Sequence, residues 1–397
     1  MTRRSSILAA VSAALLLASA CAPGGDGDGG GDGGNGGAIT VGGIFDLTGA
    51  TSDVGVPYAN GVKGYVQFIN SNGGVGGRQI DLVSEDYAYD VAVAEQVYSR
   101  LKTEGAVAIQ GWGTGDTEAL RGRVTTDKLP FMSASYAETL VEPAETPFNF
   151  VVGTTYSDQM RIGLSWIAED AGGPAEVAVF HHDSPFGESP LEAGSSYIEE
   201  EGLELGYQTY AMPAEATDFV SQLQRAEQQG ASYIVIQNVS SPAAQLAKDV
   251  AQQGLDMQIV CLNWCGDELL IDLAGDASEG VVGVMPFGPT SVDAAGLEEP
   301  TSFLEEEGSS IDEEGLHYVQ GWYTMAVMAA GLEAAAEEGE VTGESLKAAL
   351  EEMETFETGD VSGPIDFSSD NHSGMTSSRL FQVESGQWSE LTDFMTP

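Results

Sequence analysis

Residues 39–86 read ITVGGIFDLTGATSDVGVPYANGVKGYVQFINSNGGVGGRQIDLVSED, and the fold class turns on them. Residues 39–46, ITVGGIFD, form an apolar run of strand length. The loop LTGATSDVG follows, and a helix is predicted from about Pro57 to Asn70. Arg78 to Ser84 is the next strand. Strand, helix and strand in quick succession make the repeating unit of a parallel sheet, because parallel strands need a crossover between them.

The same alternation runs outward from this stretch. Over 91–102, Ala94, Val97, Tyr98 and Leu101 share one helical face. Ala106–Gln110 is a short buried strand, Thr117–Val124 a helix and Leu129–Met132 a strand. The pattern then restarts. Helices are predicted over Asp158–Asp170, Glu188–Glu201, Phe219–Gln229 and Pro242–Gln253. Strands are predicted over Ala175–Phe180, Leu205–Ala211, Tyr233–Gln237, Gln258–Cys261 and Val281–Met285. The expectation is α/β, with two doubly wound parallel-sheet lobes and a change near 150–156. After Phe287 come helices, roughly 297–307, 315–337 and 343–353. Val319–Ala336 is apolar nearly all round, which places it in a core. Gly321, Gly331 and the nearby His317 argue against a membrane span. The tail 379–390 alternates as a last pair of strands.

The chain has 397 residues, with 14 Lys+Arg against 62 Asp+Glu, a formal net charge of −48. Such a field repels phosphate backbones and excludes nucleic acid as a partner. It also disfavours docking of the folded body on anionic lipid. Met1–Ala20 has a charged start, an apolar run too short to span a bilayer, and small residues at its end, which together read as a secretory signal. Cys21 follows directly and resembles the lipobox of bacterial lipoproteins. Ala18 stands where that pattern usually has Leu. The resemblance implies lipidation at Cys21 and an exported chain held on the outer face of the cytoplasmic membrane, at the cell surface or in the periplasm. Residues 21–37 then form a Gly/Asp-rich linker. A coil of that composition has an r.m.s. reach of roughly 20–25 Å. Two cysteines remain, Cys261 and Cys265. Outside the cell a local disulfide is open to them, but the reading favoured here is two buried free thiols. No second Cys/His pair stands at zinc spacing, so no metal is expected.

Catalytic signatures are missing. Gly111-Trp112-Gly113-Thr114-Gly115 follows a strand and precedes a helix, as a dinucleotide loop would, but Asp116 stands where the third glycine belongs. The structural reading is a loop that brings backbone N–H groups and a helix N-terminus to a cleft. His181 and His182 read as strand-end residues. No G-x-S-x-G elbow and no H-E-x-x-H pair occurs in the chain. Neither an enzyme nor a cofactor is expected.

Over residues 38–395 the chain resembles the type I solute-binding proteins of ABC importers, in the group around the leucine/isoleucine/valine-binding proteins. The resemblance is carried by the opening stretch, with Asp46 where the family's turn has proline. It continues in AIQGWGTGDTEAL (108–120), LPFMSASYAETL (129–140), VAVFHHDSPFGESPL (177–191) and PAEATDFVSQLQRAEQQGASYIVI (213–236). It implies two lobes joined by a three-crossing hinge near 152–156, 285–290 and 360–366. The N-terminal lobe would be 38–153 plus 288–361, and the C-terminal lobe 154–287 plus 362–397. A small amino acid, or a related apolar carboxylate or amide, would bind between the lobes. The closed form would dock on a membrane permease served by an ATPase. The alternative use of such a fold is a ligand-sensing subunit that signals to a partner protein. Carried over position by position, the implied ligand contacts are Val54, Trp112, Thr114, Gly115, Ala134, Ser135 and Tyr136 from the first lobe. From the second come Phe186, Asn238, Ser240, Asn263 and Trp264. Amino-acid binders often have an acid near the Asn263 place to pair with the ligand ammonium. That acid is missing here, although Asp267 lies close by.

Overall fold

The computed structural model describes residues 37–397 apart from residue 215. The signal peptide, Cys21 and the linker up to residue 36 lie outside the described residues. The chain begins with β1 (Ile39–Phe45), α1 (Ser52–Ser71), β2 (Ile80–Asp86), α2 (Val91–Thr103), β3 (Ala108–Gly111), α3 (Thr114–Asp127), β4 (Phe131–Ser133) and β5 (Asn149–Phe150). These strands form one parallel sheet in the order β2-β1-β3-β4-β5. Helices cover both faces of such a sheet. That explains why β1 and β3 are almost wholly buried, without alternation between faces.

A second run follows: α4 (Tyr156–Ala171), β6 (Ala175–His182), α5 (Pro185–Glu188), α6 (Leu191–Glu201), β7 (Leu205–Met212), α7 (Val220–Gln228), β8 (Ala231–Gln237), α8 (Ser240–Gln253), β9 (Gln258–Cys261), α9 (Glu268–Ala274) and β10 (Val282–Met285). Three helices come next, α10 (Glu298–Glu307), α11 (Ile311–Glu338) and α12 (Gly343–Glu352), then the hairpin β11 (Arg379–Glu384) and β12 (Gln387–Glu390). The second sheet has the order β12-β11-β10-β9-β8-β6-β7, parallel except for the hairpin. The molecule therefore has two α/β lobes. The chain leaves the first sheet after β5, turns back toward it after β10, and rejoins the second at β11. At these passages Val151 bridges Ser373 and Phe287 bridges Ser362.

The helix-only segment packs on the first lobe, and glycine makes this possible. A Cβ at Gly61 of α1 would run into the carbonyl oxygen of Tyr318, and one at Gly321 of α11 into that of Tyr58. The two backbones touch where a side chain would hold them apart. α11 breaks at Gly315 (φ 73°), where the chain turns before its long buried run. Among the described residues no helix is long and apolar enough to cross a membrane.

Three departures from the sequence expectation bear on the crevice. The helix expected over 188–201 is split, with Pro185 opening α5 and Pro190 standing at the entrance of α6. α9 was not expected. It exists because the Asp267 side chain accepts the Leu270 N–H at 2.8 Å and so caps it. Cys261 and Cys265 are bonded rather than free, with Cα atoms 5.5 Å apart. Cys261 ends β9, and the turn Asn263–Cys265 folds Cys265 back beside it in a fully buried position.

Candidate functional site

The C-terminal ends of the strands in both lobes face one crevice, the place where open α/β sheets bind ligands. A small cavity lies there. Thr51, Tyr89, the Trp112–Thr114 turn and Ala134 line it from the first lobe, and Tyr156, Phe186, Val239 and Trp264 from the second run. Its walls are largely aromatic. The Trp112 and Trp264 rings, one from each lobe, meet with centroids 4.9 Å apart. Tyr58 lies 5.2 Å from Trp112, Tyr136 lies 5.6 Å from Trp264, and Phe186 lies 5.4 Å from Tyr156. Tilted and edge-on contacts of this kind hold the rings in place.

A second tier of hydrogen bonds fixes the rings. Asp46 accepts the N–H groups of Gly49 (2.6 Å) and Thr51 (2.9 Å) and the Thr51 hydroxyl (2.8 Å). A proline at this position would have supplied none of these bonds. Thr51 in turn accepts the Trp112 indole N–H at 2.8 Å. On the other side the Trp264 indole N–H donates to the Tyr156 hydroxyl at 2.9 Å. The Thr114 and Ser135 hydroxyls lie 2.8 Å apart. α3 begins at Thr114, with glycine before it and no side-chain cap, so a helix N-terminus opens toward the cavity.

Five of the residues expected at the site line the cavity: Trp112, Thr114, Ala134, Phe186 and Trp264. Ser135 and Tyr136 stand just behind it, joined to Thr114 and Trp264 as described. The others are placed elsewhere. Val54 is core. Gly115 faces Val91 and Pro185. The Asn238 amide oxygen accepts the Val239 N–H at 2.8 Å, while its residue borders a separate cavity beside Met212. The Ser240 hydroxyl donates to Asp267 at 2.5 Å. Asn263 is fully buried, and its amide oxygen accepts the Gln320 amide at 2.6 Å. Thr51, Tyr89 and Val239 were missed, although each follows a strand end and the rule that selected the others would have found them. Tyr156 carries no such mark, since it opens α4 after the passage between sheets.

The polar atoms around the rings fall into two groups. Asp267 is buried and committed. It accepts from Ser240 and Leu270, and its Oδ2 lies 3.0 Å from Nε2 of His317. Burial alone would lower the His317 imidazole, but the hydrogen bond and charge of Asp267, with help from Gln320, hold it above its ordinary value. The loop of Asp267 does not turn its carboxylate into the cavity. In the other group, the hydroxyls of Tyr58 and Tyr136, Nδ2 of Asn263 and Oδ2 of Asp116 are buried without a partner. Across the crevice, Asp53 of α1 accepts the Ser241 N–H of α8 at 2.9 Å, a contact between the lobes at a helix N-terminus.

The profile of the periplasmic binding protein family matches residues 38–387, nearly the whole described chain. The chain belongs to that family. The leucine-, isoleucine-, valine-, threonine- and alanine-binding protein of Pseudomonas aeruginosa is 23% identical over 317 residues, covering 79% of this chain and 81% of its own. A branched-chain amino acid ABC transporter protein of Thermus thermophilus, solved with bound valine, superposes with a TM-score of 0.86 at 27% identity. That likeness covers 91% of this chain and 97% of the other. An ABC transporter substrate-binding protein of Aeropyrum pernix superposes at 0.82 with 29% identity, over 91% of this chain and 96% of its own. As a periplasmic binding protein the molecule has its crevice where the family's two-lobed architecture leaves it.

Proposed function

We propose that this periplasmic binding protein captures a small, mostly apolar amino acid or a related carboxylate or amide and delivers it to the permease of an ABC importer. The observation that carries the reading is the ring-walled cavity between the lobes, with unpartnered buried hydroxyl and amide donors around it. Rings suit an apolar body. The α3 N-terminus, Thr114 and Ser135 suit a carboxylate or amide. The names of the relatives, which bind branched-chain amino acids, point the same way. On this reading the lobes are 38–153 with 288–361 and 154–287 with 362–397, and they close about the passages near Val151 and Phe287. Lipid on Cys21 would keep the body near its permease. Cys21→Ser should then release the protein from membranes, whereas fractionation unchanged from wild type would remove the anchor.

The capture reading is tested with a thermal-shift panel of leucine, valine, phenylalanine, benzoate-like acids and short amides. Saturation at about 100 times the dissociation constant adds roughly 2.7 kcal/mol of stability. Thr114→Val together with Ser135→Ala should remove most of that shift. A shift undiminished in the double variant would mean that the ligand sits elsewhere.

A further inference from the structure

Two helices begin at the crevice without a cap from their own preceding residue. α8 starts after Val239, which makes no side-chain bond to the first N–H groups. The Ser240 hydroxyl that follows is turned to Asp267 instead. In α11 the long buried run starts after Gly315, where the backbone leaves the helix at φ 73°. The first N–H groups of a helix have no partner within it, and neither valine nor glycine has a side-chain oxygen to offer them.

In each case the acceptor comes from the other lobe. Oδ2 of Asp53, on α1 of the first lobe, accepts the Ser241 N–H of α8 at 2.9 Å. Its Oδ1 accepts the neighbouring Val54 N–H at 3.1 Å. Oε2 of Glu268, on α9 of the second lobe, accepts the Leu316 N–H of α11 at 2.9 Å. Its Oε1 accepts the N–H and the hydroxyl of Thr290, both at 2.8 Å, where the chain turns back to the first lobe. A Cβ at Gly315 would lie 3.2 Å from that Oε2, so glycine leaves the acid room as well as making the turn. Asp53 and Glu268 each stand in the first turn of their own helix. Each carboxylate therefore sits between two helix N-termini, one from each lobe. Two such ends carry like partial charges and repel, and an acid between them turns the meeting into an attraction. Asp53, Glu268 and Leu316 border one opening beside the crevice, with Asp267 and His317. The ring-walled cavity is lined by other residues.

We propose that Asp53 and Glu268 are the latch of the shut crevice: each lobe supplies the cap that one helix of the other lacks, and parting the lobes breaks both caps. The two acids are positioning residues. They touch no ligand, but they set how long a captured molecule stays. This rests on the ligand-capture reading.

The test is stopped-flow tryptophan fluorescence on ligand-stripped protein, with leucine, valine, phenylalanine, benzoate and butanamide as probes. For any probe that wild type binds, Asp53→Ala should raise the dissociation rate by about fivefold to tenfold, the loss of one helix cap. The association rate should stay within about twofold, because the open form meets the probe without the latch. Asp53→Asn should keep most of the wild-type residence time, since an amide oxygen caps about as well as a carboxylate. Glu268→Ala should also speed dissociation, and the double variant should show the product of the two increases. Ligand-free melting of Asp53→Ala should match wild type, because the cap is made only where the lobes meet. A dissociation rate unchanged in Asp53→Ala, one raised as much in Asp53→Asn, or a ligand-free melting point lowered as far as the liganded one overturns the latch and leaves ligand capture standing. Binding of no probe by wild type overturns both.

Discussion

Two buried aspartates flank the crevice, and they differ in what they hold. Asp267, on the second lobe, has both oxygens bonded, to the Ser240 hydroxyl and the Leu270 N–H, with His317 beside them. Asp116, on the first lobe, has one oxygen bonded to Tyr87 and one bonded to nothing. The two are equally buried, at 2% exposure each. Burial therefore does not distinguish them; the completeness of their hydrogen bonding does. A carboxylate with every lone pair directed at a protein donor is a structural part. One with an oxygen left over carries a cost.

The largest effect expected from this contrast is on Asp267. Asp267→Ala removes the cap of α9 and leaves Ser240 and His317 facing each other without their acceptor, at a cost of about 3–5 kcal/mol in urea unfolding. A loss below about 1 kcal/mol would show that this buried cluster is not a structural unit. Asp116→Asn should act in the opposite direction on the ligand-free protein. An acid whose folded value is raised binds protons more tightly in the folded state, so wild-type stability falls as pH rises from about 4 through about 7. The variant escapes this and should be more stable at pH 8, by up to about 4 kcal/mol, with the gain vanishing near pH 4. Destabilisation at pH 8 would make Asp116 a structural acid like Asp267. His317 adds its own pH trend. Its raised value means that its contribution is complete below about 6.5 and is lost as pH rises through the folded value. Asp267→Asn should flatten that part of the profile.

The smallest effect belongs to the disulfide. Cys261 and Cys265 close a short loop around Asn263 and Trp264. Replacing both by Ser should cost about 2 kcal/mol by the loop-entropy account. Trp264 should keep its place, since Trp112, Tyr136 and Tyr156 already hold it. Loss of ligand binding in that double variant would show instead that the bridge positions the ring.

Much of this was written in the chain. The run 39–86 gave strand, helix and strand because β1 is mostly apolar while α1 carries Gly61 and Gly64 on the face that meets α11. In the helix-only segment, Val319–Ala336 showed itself by being apolar nearly all round, as a buried helix is. The site was less legible. Strand ends pointed to Trp112, Ala134 and Trp264, but Tyr156 sits at a passage between sheets with no local mark. The disulfide depends on a turn that folds back beside a strand end, and spacing alone does not give it. Asp116 was hidden by abundance: in a chain with 62 acidic residues, nothing in sequence separates the few that are buried from the many that are solvated. Its burial comes from Gly113 and Tyr87, residues brought to it by the loops after β3 and β2.

The most direct measurement is mass spectrometry of the small molecules released when the purified, never-stripped protein is denatured. The account predicts about one equivalent per chain of a small, mostly apolar amino acid or a related carboxylate or amide. Recovery of a strongly polar molecule with no apolar body would contradict the ring-walled site. Recovery of nothing, from a protein that also ignores the amino acid panel, would contradict ligand capture itself.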